Sequence, residues 1–202
     1  EYAIDANGIA TITIHMVNES TNLFSIDFIK CYLETAKKAV ENPEVKGIIV
    51  TSAHKEFMAG ADLKFLSNPP EDKNEVFLGM LEVHKGFREI EKGGKPFVAA
   101  INGTVLGGGY ELVLTCHYRI AINNPKTRIG LPEVNLGLLP GGGGTQRLTY
   151  LIGVPKATMY ILQGRQFRPS RALEEGYIDE LVDNKKELID AARKWIMENG
   201  NS

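Results

Sequence analysis

The stretch Lys95–Leu112, KPFVAAINGTVLGGGYEL, decides the fold. Its opening PFVAAI reads as a strand, and the glycines that follow open a helix through YELVLTC before a further strand, YRIAI, begins at Tyr118. The same order of strand, loop and helix recurs upstream. Ile9–Ile14 alternates β-branched residues, and a polar loop through Asn18, Glu19 and Ser20 leads to Ile29, Leu33, Ala36 and Val40 on one helical face. That helix ends before Asn42 and Pro43. Gly47–Ser52 is short, apolar and β-branched, as a buried strand would be, and runs into the small-residue loop FMAGADLKFL.

Residues 67–75, SNPPEDKNE, read as a mobile surface loop. Val76, Met80, Val83, Phe87 and Ile90 then fall on one face of a long helix stopped by Gly93, Gly94 and Pro96. Towards the C-terminus the pattern predicts helices near 144–152, 155–162 and 185–198, and a strand at Glu180–Val182. No repeat, low-complexity tract or linker divides the 202 residues. One α/β domain spanning 1–202, spiral or layered, is therefore expected.

Hydrophobic residues make up 43% and charged residues 24%, the composition of a soluble globular chain. A net charge of −2 supplies no field for nucleic acid or an anionic bilayer, so nucleic acid is not expected as a partner. No apolar run is long enough to span a membrane, and no secretory leader is visible. Cys31 and Cys116 are too few for a disulfide scaffold, and each sits in an apolar-periodic segment where a reduced, buried thiol is expected.

Glycine-rich loops suggest nucleotides, but both fingerprints fail. After Gly107 and Gly109 a dinucleotide motif needs glycine where Leu112 stands, and after Gly141 and Gly143 it needs glycine at Gln146. A Walker loop needs Gly-Lys-Ser/Thr, and Gly144 is followed by Thr145-Gln146. What the glycines offer is bare backbone N–H groups at strand-to-helix turns, where a developing negative charge meets fixed donors. Taken singly, each reads first as a tight turn.

In combination the chain resembles the crotonase (enoyl-CoA hydratase/isomerase) superfamily. Four ordered blocks carry the resemblance: FMAGADLK (57–64), KPFVAAINGTVLGGGYEL (95–112), RIGLPEVNLGLLPGGGGTQRL (128–148) and the weaker GRQFRPSRALEEGYIDELVD (164–183). The resemblance implies a ClpP/crotonase spiral of ββα units lacking the usual C-terminal helices, since family domains continue beyond this length. It also implies an oxyanion hole from the backbone N–H groups of Ala61 and Gly108. Glu111 and Glu133 match the catalytic carboxylates, Gly141 would help position water, and coenzyme A would lie against Ala59 and Ala61 near Lys64. For Lys64, a solvated lysine is an equal reading.

The activity implied is syn hydration of the 2,3 double bond of an enoyl-CoA in fatty acid β-oxidation. Double-bond isomerisation and a non-catalytic acyl-CoA-binding module are the alternatives. Hydration needs one group to take a proton from water and another to supply one at the α-carbon, which two carboxyls in unlike protonation states can do. The resemblance calls for no cofactor, coenzyme A being part of the substrate. It implies either a homotrimer or fusion and association with 3-hydroxyacyl-CoA dehydrogenase and thiolase components. The place would be the cytoplasm in a bacterium, and mitochondrion or peroxisome in a eukaryote.

His117 stands where the family commonly has aspartate, and its position on the strand side after the helix points to a structural or surface role. The remaining histidines show no metal-ligand spacing, so no metal site is expected. For Met58, contact with the acyl chain and core filling both remain open.

Overall fold

The computed structural model describes residues 1–60 and 72–200. Its main sheet has six strands in the order β1-β2-β3-β4-β6-β9: β1 (Tyr2–Ile4), β2 (Ile9–Ile14), β3 (Gly47–Ser52), β4 (Phe97–Ile101), β6 (Tyr118–Ile122) and β9 (Glu180–Val182). Only the β1–β2 pair is antiparallel. Parallel neighbours need crossovers, and helices α1 (Ile26–Glu41) and α2 (Lys73–Lys92) lie between β2 and β3 and between β3 and β4. A smaller sheet, β5 (Val105–Leu106), β7 (Ile129–Gly130) and β8 (Gln166–Phe167), pairs in the order β5-β7-β8.

Side chains alternate across the main sheet and create two cores. Ile48, Val50, Phe97, Ala99 and Ile101 point to the side that carries α1 and α2, where Ile29, Tyr32, Ala36, Phe87 and Ile90 meet them. Ile49, Val98, Ala100 and Ile120 point the other way, onto Leu188, Ala192 and Ile196 of α7 (Lys185–Asn199). Their spacing of four residues makes one apolar stripe on that helix. Asn184 caps it by accepting from the Glu187 N–H, while the Glu187 carboxylate takes the Asp183 N–H.

The helix starting at Lys73 corrects the loop reading of its first residues. Asp72 accepts the Asn74 N–H and caps the helix, so polar residues 73–75 belong to its first turn. Residues 67–71 of that expected loop lie outside the described residues. The cysteine expectation is also half overturned, because Cys116 is buried but Cys31 lies on the exposed face of α1.

Between β5 and the far end of the chain run α3 (Gly108–Val113), α4 (Gly144–Ile152), α5 (Val154–Leu162) and α6 (Pro169–Glu174). These elements, together with the small sheet, carry the site.

Candidate active site

Three loops converge where β5 turns into α3. Met58 bridges Val105 in parallel, and the Leu106 N–H donates to the Met58 carbonyl at 3.1 Å. Asn22 fixes the same loop from behind, its carbonyl accepting the Ala59 N–H and its fully buried amide reaching Ile14 O, Ser52 Oγ and Phe57 O. Gly107 turns the chain with φ 57° and ψ −133°, a backbone that only glycine adopts without strain. A Cβ on it would lie 3.8 Å from Gly60 Cα and 3.2 Å from a Glu133 carboxylate oxygen. The absent side chain is what lets the loops and that carboxyl meet.

Glu111 sits one turn into α3, its N–H on the Gly107 carbonyl at 2.9 Å, with only 3% of its surface exposed. The carboxylate accepts the Gly144 N–H at 2.7 Å, at the first position of α4. Gly142 and Gly144 form the wall against it, because a Cβ on either would come within 3.0 Å of a Glu111 carboxylate oxygen. Burial raises the pKa of Glu111, opposed by the N–H groups of Gly144 and Gly142 and by the charges of Arg147 and His84.

Glu133 opens a short 3₁₀ turn, Glu133–Leu136, and is half-buried. Both its carboxyl oxygens are buried without a hydrogen-bond partner among the described residues. Burial, then the neighbouring Glu111 charge, push its pKa up to about 7, against the pull of its own backbone N–H. The two carboxyls therefore face unlike environments. Glu111 has fixed donors that favour its charged form, whereas Glu133 has none from another described residue and holds a proton up to neutrality. Because they interact, the pair titrates as a unit.

The sequence matches the enoyl-CoA hydratase/isomerase family over residues 5–201. The chain belongs to that family. Among its relatives, the fatty acid oxidation complex subunit alpha of Shewanella halifaxensis is 42% identical over 177 residues, covering 87% of this chain and 25% of the relative. The protein of the same name from Shewanella loihica is 41% identical over 179 residues, with 87% and 25% covered. The chain thus spans about a quarter of the length of these curated relatives. Among solved structures, the enoyl-CoA hydratase of Bacillus anthracis superposes with a TM-score of 0.86 at 30% identity, covering 98% of this chain and 75% of that one. That of Thermoplasma volcanium gives 0.89 at 25% identity, with 99% and 78% covered. The fold is crotonase-like, as the sequence blocks implied.

Within this family's frame, the N–H of Gly108 occupies the first position of α3, with no side-chain cap and no acceptor among the described residues. The Phe24 ring packs where its Cβ would stand, 2.7 Å away. Ala59 is exposed and its N–H is taken by Asn22, while Ala61 and Lys64 lie outside the described residues. Gly141 is exposed, three residues before α4 begins, with Met80 Cε 3.7 Å from the position of a Cβ. Met58 is wholly buried against Gly109, which makes it a filler of the core. His117 is structural: its Nδ1 accepts the Phe97 N–H at 3.0 Å.

Sequence reasoning passed over Asn22, Glu91 and Arg147. Asn22 looked like one more polar residue of a loop, and only the parallel register of β2 and β3 reveals that it ties their ends together. Among the described residues no cluster of ligands fit for a metal ion occurs, and no described helix is long and apolar enough to cross a membrane.

Proposed function

We propose that this chain hydrates the 2,3 double bond of an enoyl-CoA thioester to give a 3-hydroxyacyl-CoA. The supporting observation is the pair of adjacent carboxyls in unlike environments, Glu111 accepting the Gly144 N–H and Glu133 with no hydrogen-bond partner among the described residues and a pKa raised to about 7. Glu111 orients the water and takes its proton as the oxygen bonds to the β-carbon. Glu133 gives its proton to the α-carbon, and exchange with solvent resets the pair. The reaction is redox-neutral and draws its atoms from substrate and water, so coenzyme A enters as part of the substrate.

Charge builds on the thioester oxygen as the enolate-like transition state forms. The Gly108 N–H at the start of α3, without an acceptor among the described residues, supports its assignment as one donor, with Ala61 as the second by family resemblance. Ala59 and Lys64 are assigned to coenzyme A, and Gly141 to the water, on the same resemblance. Since the similar relatives are named as alpha subunits of a fatty acid oxidation complex, this chain serves in our reading as the hydratase portion of a longer β-oxidation protein. Its associates would be the dehydrogenase and thiolase steps.

Glu111→Gln and Glu133→Gln each keep size and hydrogen bonding but cannot exchange a proton near neutrality. Each should lower crotonyl-CoA hydration by about 100- to 10,000-fold while the Kd for butyryl-CoA stays near that of the unmutated protein. The losses should not add in the double variant. Near-normal turnover in either folded variant removes that glutamate from the mechanism. Glu133, without a hydrogen-bond partner among the described residues and with a pKa near neutrality, is also suited to take and return one proton, which favours double-bond isomerisation as a second activity. A 3-enoyl-CoA substrate tests it: isomerisation lost in Glu133→Gln but kept in Glu111→Gln would support that shuttle.

A further inference from the structure

Arg147 lies behind the glycine turn, not in front of it. Its side chain is 14% exposed and reaches in three directions. Nε and Nη2 pair with the two carboxylate oxygens of Glu91 at 2.7 and 3.3 Å, the guanidinium lies 5.5 Å from the Phe87 ring centre, and Nη1 donates to the Gly142 carbonyl at 2.9 Å. Arg88 also holds Glu91, at 3.0 Å. Gly143, with φ 98°, has no room for a side chain, because a Cβ there would stand 2.1 Å from Nη1.

A pairing with Glu91 alone would only tie α2 to α4. The third contact reaches the turn itself and fixes the peptide between Gly142 and Gly143, one residue before the Gly144 N–H that meets Glu111. We propose that Arg147 is a positioning residue for the hydration, clamping the Gly142–Gly144 turn so that its N–H groups stay on the Glu111 carboxylate. Its planar fork makes the Glu91 and Gly142 contacts at once, which a lysine ammonium at the same place cannot do. Among the described residues Arg147 hydrogen-bonds neither Glu111 nor a position assigned to the substrate; its charge favours ionised Glu111 from a distance, and its hydrogen bond acts through the turn. The inference rests on the reading of Glu111 as the residue that activates water.

Two variants of the 202-residue chain test this, Arg147→Lys and Arg147→Met, with two readouts. The first readout is the rate on crotonyl-CoA across pH. The second is the titration midpoint of the Glu111 carboxyl, followed by the carbon-13 shift of a signal identified by its loss in Glu111→Gln. Both variants should keep the butyryl-CoA Kd but lose about 100-fold in kcat, the scale of a displaced reacting group. With the clamp gone, Glu111 loses donors to its charged form. The acid limb of kcat and the carboxyl midpoint should therefore both move to higher pH, and Arg147→Lys decides, because it keeps the positive charge whose loss in Arg147→Met would by itself raise the Glu111 midpoint.

If Arg147→Met does not fold, Arg147→Lys decides. A folded variant with a lower Tm but unchanged kcat and midpoint overturns the proposal and leaves Arg147 as an α2–α4 tie. If the unmutated chain turns over no enoyl-CoA, the hydratase reading fails by itself. The carboxyl midpoint then still decides whether Arg147 governs Glu111.

Discussion

Glu133 holds its proton to higher pH in the folded state because burial strips water from its carboxyl, which has no hydrogen-bond partner among the described residues, and that has a consequence for stability independent of catalysis. Its pKa is raised from 4.5 to about 7, so between those values the folded protein binds a proton that the unfolded chain has released. The group's contribution is thus fully present below the unfolded pKa and lost as pH rises through about 7, up to about 3 kcal/mol before allowance for partial solvation. Glu133→Gln removes the titration. Its Tm relative to the unmutated protein should rise between about pH 5 and pH 8, and a difference that stays constant over that range would rule out this carboxyl as the source. Gly142 makes a second residue-scale test, since a Cβ there would stand 3.0 Å from Glu111 Oε2. Gly142→Ala should leave Tm within a few degrees and lower kcat by about 100-fold through a displaced carboxylate. Unchanged kcat with native fold would mean that the Glu111 position is not critical.

Among the elements, the loop that brings Met58–Gly60 to the site is held by a side chain outside it. Asn22 accepts the Met16 N–H, donates to Ile14 O, Ser52 Oγ and Phe57 O, and is fully buried. Asn22→Ala would leave several of these groups buried and unpaired, a loss of about 3 kcal/mol. Chemical denaturation should register that loss, and a change below about 1 kcal/mol would show that water replaces the amide. The sequence announced the long elements well, because β2, β3, β4, α1, α2 and α7 carry several turns of periodicity or a continuous apolar run. It said nothing of β1, β5, β7 and β8, which are two or three residues long, although β9, equally short, was read at Glu180–Val182. The face of α1 is rotated slightly from the expected one: Ile29 and Ala36 are buried as expected, Tyr32 and Ala39 are buried with them, and Leu33 and Val40 are only partly buried at its edge. Glu111, Glu133 and the glycines were legible only as parts of a family pattern. Singly, a glutamate in a first helical turn is ordinary, and what sets these two apart is burial, which arises from segments distant in sequence.

For the molecule as a whole, the two faces of the main sheet do different work. The α1–α2 side continues towards the site, while the opposite side is closed by α7 through Leu188, Ala192 and Ile196. Ile196 fills the space over Gly47, where a Cβ would come within 2.4 Å of its Cγ2. Ile196→Ala should cost about 2–5 kcal/mol and lower Tm, yet leave kcat unchanged below the melting transition. A parallel loss of kcat would reveal coupling between the faces. The exposed apolar side chains gather elsewhere, on Phe77, Leu78 and Leu81 of α2, on Leu136, Leu138 and Leu139 after Glu133, and on Tyr150, Val154 and Leu162 of α4 and α5. The order of elements also sets a timetable for the growing chain. Five of the six strands of the main sheet are complete in sequence before residue 123, and β9 follows only at Glu180–Val182, directly ahead of α7. Throughout synthesis of the intervening segment the nascent protein carries an open, flat, apolar sheet face. That face should attract holding chaperones until α7 emerges, and a pause placed before Lys185 should prolong the association.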